Sequence, residues 1–291
     1  MNNAAIGIFD SGLGGLTVAR EIAEALPDES LIYVGDQARC PYGPRDSFEV
    51  QNFVQQIATF LSRQEVKLIV IACNTATSCG LDATRQHFDL PIIGVINAGA
   101  RAAVEATQAN TVAVIGTQRT IESAAYPKAI HKLNAQVKVI GQATPELTNI
   151  VESGLEAEVA ECVQKRGDYY HLVESYLCPL LKHGPDTLLL GCTHYPVLIE
   201  ALQAVAGEQV KIICTANEVA AEVKQFLTEN DALADDIPAL SEDNTLTNAF
   251  KQKHIFYTTG SNTENFAQLG SRIFGEDLEE VRHLSIEELT A

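Results

Sequence analysis

Short apolar runs alternate with amphipathic stretches along nearly the whole chain. The runs cover residues 5–9, 31–34, 66–72, 91–96, 111–115, 137–140, 187–190, 210–214 and 254–257. Most are rich in valine and isoleucine and apolar at consecutive positions. That pattern predicts strands buried on both faces, as in parallel sheets. Between them, apolar residues recur at helical spacing, as over 16–26, 47–64 and 156–181. Strand and helix in alternation predict an α/β fold with mostly parallel sheets. Nine strands in 291 residues suit two compact sheets better than one. No linker rich in Pro, Gly or Ser separates two halves, so the chain is expected to cross between sheets at short loops. Residues 229–248 are acidic and polar and read as a surface excursion before the last strand.

The pattern contains a short echo of itself. An apolar run ends in a small residue and then Cys, with Thr close behind, at Ala72-Cys73-Asn74-Thr75 and again at Gly191-Cys192-Thr193. A fainter echo pairs residues 6–11 with 112–117. Echoes of this length fit chance as well as duplication.

In open α/β sheets, ligands sit at the carboxyl ends of strands, so the residues just after each run carry the chemistry. After the first run comes Asp10-Ser11-Gly12-Leu13-Gly14-Gly15-Leu16-Thr17. It lacks the Gly-Lys-Ser/Thr ending of a nucleotide phosphate loop and the third Gly of a dinucleotide fingerprint. A loop that aims N–H groups at a carboxylate or small anion is favoured over a mere tight turn. Asp10 reads as a helix cap as readily as a catalytic acid, and Ser11 shares that ambiguity. Cys40-Pro41-Tyr42-Gly43-Pro44, after Tyr33-Val34-Gly35-Asp36, is a rigid loop in which Tyr42 covers a site or merely supports the fold. Cys73 follows the most apolar strand, at an expected helix start, where backbone N–H groups lower a thiol pKa. Cys192 has a titratable His194 two residues on. One such cysteine alone reads as a buried inert thiol; two in matching settings point to function. A hydrolase built on Cys192 and His194 stays open, although it leaves Cys73-Asn74-Thr75 unexplained. Cysteine and histidine spacings do not suit a metal site. Cys40 reads as incidental, and Cys79, Cys162, Cys178 and Cys214 as packing.

Charge and composition remove other classes. With 20 basic and 38 acidic residues the formal charge is −18, which argues against nucleic-acid or anionic-membrane partners. The seven cysteines are scattered and odd in number, unlike a secreted disulfide framework. No leader pattern and no apolar run approaching the roughly 20 residues of a membrane span is present. A cytoplasmic protein with reduced thiols is expected.

Seven segments together resemble the glutamate racemases, in that family's order and spacing over nearly the whole chain. They are residues 10–17, 33–36, 40–44, Ala72-Cys73-Asn74-Thr75-Ala76-Thr77, Gly116-Thr117 with Thr120, Val151-Glu152-Ser153-Gly154 and Gly191-Cys192-Thr193-His194-Tyr195-Pro196. Either cysteine motif alone would point only to the wider two-cysteine group that includes aspartate racemases. The resemblance implies two pseudo-symmetric α/β domains facing each other across a cleft that holds the active site. Residues 1–97 with 210–291 would carry Cys73, and 98–209 would carry Cys192. It implies a reaction without pyridoxal phosphate or metal, a homodimer, and supply of D-glutamate for peptidoglycan. Cys73 would be the base toward D-glutamate, assisted by Asp10. Cys192 would be the base toward L-glutamate, assisted by Glu152 and His194. Asp10, Ser11, Pro41, Tyr42, Gly43, Cys73, Asn74, Thr75, Thr117, Thr120, Cys192, Thr193 and His194 would line the substrate site. Ala143-Thr144-Pro145 departs from the family's common Ala-Cys-Pro. Members with an N-terminal extension resemble enzymes activated by a cell-wall precursor; a first strand starting within six residues of Met1 predicts activity without one.

Overall fold

The structure, a computed structural model, describes residues 3–152, 168–235 and 254–290. Most of the consecutive apolar runs form strands buried on both faces; the run at 137–140 forms one that is exposed or half-buried throughout. β1 (Ile6–Asp10), β2 (Leu31–Gly35), β3 (Leu68–Ile71) and β4 (Ile92–Gly94) are buried at every position. With β9 (Ile255–Thr258) and β10 (Val281–His283) they make a six-stranded sheet in the order β10-β9-β2-β1-β3-β4. β5 (Thr111–Gly116), β6 (Lys138–Ala143), β7 (Thr187–Gly191) and β8 (Lys211–Cys214) make a second sheet, β6-β5-β7-β8. Every pairing in both is parallel.

The two echoes fall on matching neighbours. In the first sheet β1 lies beside β3, with Phe9 opposite Ile71; in the second, β5 lies beside β7, with Gly116 opposite Gly191. Cys73 and Cys192 therefore emerge at the carboxyl end of the strand next to an equivalent neighbour.

Helices, not loops, carry the chain between sheets. α4 (Val95–Ala106) follows β4 and leads to the second sheet. α10 (Thr215–Glu229) follows β8 and leads back. The division expected at 97/98 thus falls inside α4. The one expected at 209/210 would cut β8 from its sheet: Thr187 to Leu190 of β7 pair with Lys211 to Cys214. An apolar run announces a buried strand but not which sheet it joins, and that is why the boundary was misplaced. One core cluster runs through both sheets, from Ile8 and Val70 by way of Ala100, Ala103, Val219 and Val223 to Val114 and Leu189. Alanines on α4 keep the layer thin, and a Cβ on Gly99 would stand 2.6 Å from Thr215 Cγ2 of α10.

α1 (Leu16–Ala25) and α2 (Ser47–Arg63) match the helices read from periodicity. α3 (Asn74–His87) and α7 (Pro145–Glu152) bear on the site. α8 (Asp168–Leu181) is the described part of the helix expected over 156–181; residues 156–167 lie outside the described residues. Residue 229 closes α10, and most of the expected surface excursion, 236–248, also lies outside them. Among the described residues no helix is long and apolar enough to cross a membrane.

Candidate active site

Cys73 caps α3. Its φ of −67° and ψ of 124° are extended, and its Sγ accepts the Ala76 N–H at 3.4 Å. The thiol in turn points to Ser11 Oγ at 3.8 Å. A helix start was expected to depress this thiol. Instead, burial and the nearby Asp10 carboxylate push it well above its ordinary value, and the Ala76 N–H and Ser11 only partly oppose them. Desolvation of a sulfur anion outweighs one backbone dipole.

The setting of Cys192 is different. No α-helix starts there; a turn leads into a 3-10 turn at Tyr195–Leu198. Its Sγ has two side-chain partners, His194 Nδ1 at 3.4 Å and Thr148 Oγ1 at 3.7 Å. The far nitrogen of His194, Nε2, is hydrogen-bonded to Glu152 Oε1. Burial pulls the His194 pKa down, but Cys192 and Glu152 push it up more strongly, so it stands well above an ordinary histidine. Burial alone would raise Glu152. The His194 charge, with hydrogen bonds from His194, Gln37 and Leu13, holds it below the usual range. An imidazolium–carboxylate pair at neutral pH follows.

The glycine loop also behaves differently from a simple ligand cradle. Gly12 N–H donates to Asp10 Oδ2 at 3.0 Å and Leu13 N–H to Glu152 Oε1 at 3.2 Å. The sequence pattern aims these donors at a ligand; in the structure they are taken up by the protein's own carboxylates. A Cβ on Gly12 would lie 2.4 Å from Glu152 Oε1, and one on Gly14 2.5 Å from His194 Nδ1. Bare backbone is what lets this loop press against the residues serving Cys192. Thr17 Oγ1 donates to the Thr193 carbonyl, and Thr193 Oγ1 to Asp10 Oδ1, each at 3.2 Å. Asp10 is fully buried, and burial raises its pKa, opposed chiefly by His194. No hydrogen bond joins it to Cys73; it reaches that thiol through its charge.

On the other side, hydroxyls tie the sheets together. Thr75 Oγ1 lies 2.8 Å from Thr117 Oγ1 and 3.2 Å from Thr120 Oγ1. Arg119 N–H donates to the Gly43 carbonyl at 3.1 Å. Tyr42 is held by its hydroxyl on Asp36, which also accepts from Arg39 Nε at 2.7 Å and Thr259 Oγ1 at 2.8 Å. Tyr126 donates to Asn74 Oδ1. That leaves Asn74 Nδ2 buried without a partner among the described residues.

These groups enclose a cavity of about 10 Å³, lined by Ser11, Pro41, Tyr42, Gly43, Cys73, Asn74, Thr75, Thr117, Thr148, Cys192, Thr193 and His194. That is room for about one water. Both thiols line it, and each cysteine is 5% exposed. Three residues expected at the site stand one layer behind. Asp10 holds Thr193, Thr120 holds Thr75, and Glu152 holds His194. Thr148 was missed; it lies four residues before Glu152 on α7, hence on the same helix face, which was the available signal. At the departure from the family pattern, Thr144 Oγ1 bonds the Tyr195 hydroxyl at 2.6 Å.

Sheet order, two strand-end cysteines and a shared cavity are the marks of a two-cysteine racemase. The chain belongs to the Asp/Glu/hydantoin racemase family, whose model matches residues 6–223. It is 44% identical over 260 residues to the glutamate racemase of Lysinibacillus sphaericus, covering 89% of this chain and 90% of that one. A crystal structure of a glutamate racemase isoform from Bacillus anthracis matches with a TM-score of 0.87 at 40% identity, covering 98% of this chain and 99% of that chain. The glutamate racemase of Francisella tularensis, in complex with D-glutamate, matches with a TM-score of 0.85 at 31% identity, covering 98% of each chain.

Proposed function

We propose that this enzyme interconverts L- and D-glutamate by two-base proton transfer between Cys73 and Cys192. The observation that carries the proposal is that both thiols line one small buried cavity. Inversion at Cα removes a proton from one face and returns one to the other, which two opposed groups do without turning the substrate.

With L-glutamate bound, the Cys192 thiolate takes the Cα proton, and the Cys73 thiol then gives one to the opposite face of the carbanion. Cys192 ends as thiol and Cys73 as thiolate, and the reverse turnover or exchange with solvent resets them. Burial that keeps Cys73 protonated suits it to be the acid in this direction. His194, 3.4 Å from Cys192 Sγ, stands ready to exchange a proton with that sulfur, and Glu152 fixes the ring. The buried, unpartnered Asn74 Nδ2 and the hydroxyls of Ser11, Thr75, Thr117 and Thr193 supply donors for substrate carboxylates. Donors on the α-carboxylate stabilise the carbanion that forms when Cα–H breaks. Glutamate has many more heavy atoms than one water, so the two sheets must part to admit it and close to dry the site. Cytoplasmic location, association as a homodimer and supply of D-glutamate to peptidoglycan belong to the same reading, supported by family resemblance.

Proton NMR of L-glutamate with the enzyme in heavy water tests it. The Cα signal should disappear as optical rotation falls to zero. Faster turnover of aspartate than glutamate, or a Cys73→Ala variant that keeps wild-type activity, would refute it. Loss of about 10³-fold or more is expected of Cys73→Ala and of Cys192→Ala.

A further inference from the structure

Gln37 opens the 3-10 turn Gln37–Arg39 after β2, on the side of the first sheet. Its amide Nε2 donates to Glu152 Oε2 at 2.7 Å, across to α7 on the second. The other amide atom, Oε1, is buried with no hydrogen-bond partner among the described residues. A buried acceptor left unpaired is costly and calls for a reason. Turning the amide over would set its oxygen against a carboxylate, so the donor must face Glu152. The side chain's one described hydrogen bond is thus its task. Glu152 Oε1 is meanwhile held by the Leu13 N–H at 3.2 Å and by His194. Both grips from the first sheet form when the sheets are closed.

We infer that Gln37 is a positioning residue for the Cys192 half of the reaction. Acting through Glu152, it fixes the His194 ring that serves Cys192 and makes that service depend on closure. Among the described residues Cys73 has no such chain of contacts; its partners are Ser11 and the Ala76 N–H. The inference rests on the racemase reading, with Cys192 facing the L-enantiomer.

Gln37→Met keeps the bulk and removes the donor. kcat/KM is expected to fall about tenfold, the worth of one hydrogen bond to a charged group. The two enantiomers are equal in free energy, so kcat/KM must fall equally in both directions, and rates alone cannot show which cysteine is affected. Isotope effects can. Slower transfer at Cys192 makes that step more limiting. The deuterium effect on kcat/KM should rise for L-glutamate labelled at Cα and fall for labelled D-glutamate. A second variant, Gln37→Glu, sets a carboxylate against Glu152. Its activity relative to wild type should lie below that of Gln37→Met at pH 8 and recover as pH falls and the new group takes a proton. Isotope effects that shift in parallel, or a Gln37→Glu defect indifferent to pH, would overturn the inference. If wild-type enzyme fails to exchange the Cα hydrogen at all, the racemase reading itself fails, independently of any variant.

Discussion

Burial holds Cys73 in its thiol form, whereas Cys192 has a histidine ring 3.4 Å from its sulfur and a hydroxyl 3.7 Å away. The two sulfurs therefore reach similar work by different means: one is kept protonated by a dry site, the other is served by a charged neighbour. The Thr148 hydroxyl is the one neutral polar side chain in hydrogen-bond range of Cys192 Sγ among the described residues, and it can donate to a thiolate there. Thr148→Val keeps the shape and removes that donor. It should lower kcat by about three- to tenfold, the worth of a modest hydrogen bond, and leave the far-ultraviolet circular dichroism unchanged. A variant as active as wild type would show that the hydroxyl only fills space. Residues of this kind are hard to read from a sequence. Cys73, Asn74, Cys192 and His194 were legible because they follow apolar runs directly, at strand ends where α/β sheets place ligands. Gln37 acts on a residue brought to it by another element, and nothing in its own neighbourhood along the chain announces that contact; for Thr148 the one signal was its place a helical turn before Glu152.

Among the elements, those buried on both faces were the plainest in the pattern. β1, β2, β3 and β7 are buried throughout and appear as continuous apolar runs. β10 was invisible: three residues long, with Arg282 and His283 exposed, it needs one apolar side chain because it lies at the sheet edge. The glycine loop after β1 reads in the sequence as a cradle for a ligand anion, and its contact with Glu152 was not legible, since Glu152 arrives from α7, on the other sheet. The loop's close fit to α7 gives a prediction at this scale. Gly12→Ala introduces a methyl group 2.4 Å from Glu152 Oε1, so the Glu152 carboxylate must shift away from the loop. A misplacement of about 1 Å in a catalytic arrangement costs roughly a hundredfold in rate. The per-molecule kcat should fall by about that factor in Gly12→Ala, and because the loop is buried, with Leu13 in the core, the unfolding temperature should fall as well. A variant that unfolds early and keeps its per-molecule rate would mean that the glycine serves packing instead.

For the molecule as a whole, buried ionisable groups make stability depend on pH unequally on the two sides of neutrality. Glu152 is held below its ordinary value despite the burial that opposes this, by His194 and its hydrogen bonds. Its stabilisation is present above the unfolded value and lost as pH falls through the folded one. His254, lowered by burial, acts in the same sense: its neutral folded form favours folding above pH 6.5 and is penalised below it. Asp10 is raised by burial, so its stabilisation is greatest below its unfolded value and is lost as pH rises. In acid, Asp10 therefore offsets part of what Glu152 and His254 lose. Among the described residues no such offset exists in base. His194 is raised well above 6.5, its neighbours' charges outweighing burial; its stabilisation is complete below 6.5 and declines as pH climbs toward the folded value. The thiols of Cys73 and Cys40, raised by burial above an ordinary value of 9.0, add to the loss once the unfolded chain's thiols ionise. Each proton held more tightly by the folded state changes stability by about 1.4 kcal/mol per pH unit. Urea unfolding should thus show greatest stability near pH 6.5, a fall of about that slope above it, and a steeper fall beyond pH 9. His194→Gln, measured in parallel, should flatten the limb between pH 6.5 and 9 and leave the steeper limb in place. If both limbs keep their slopes in the variant, the raised imidazolium is not what links this fold to the proton.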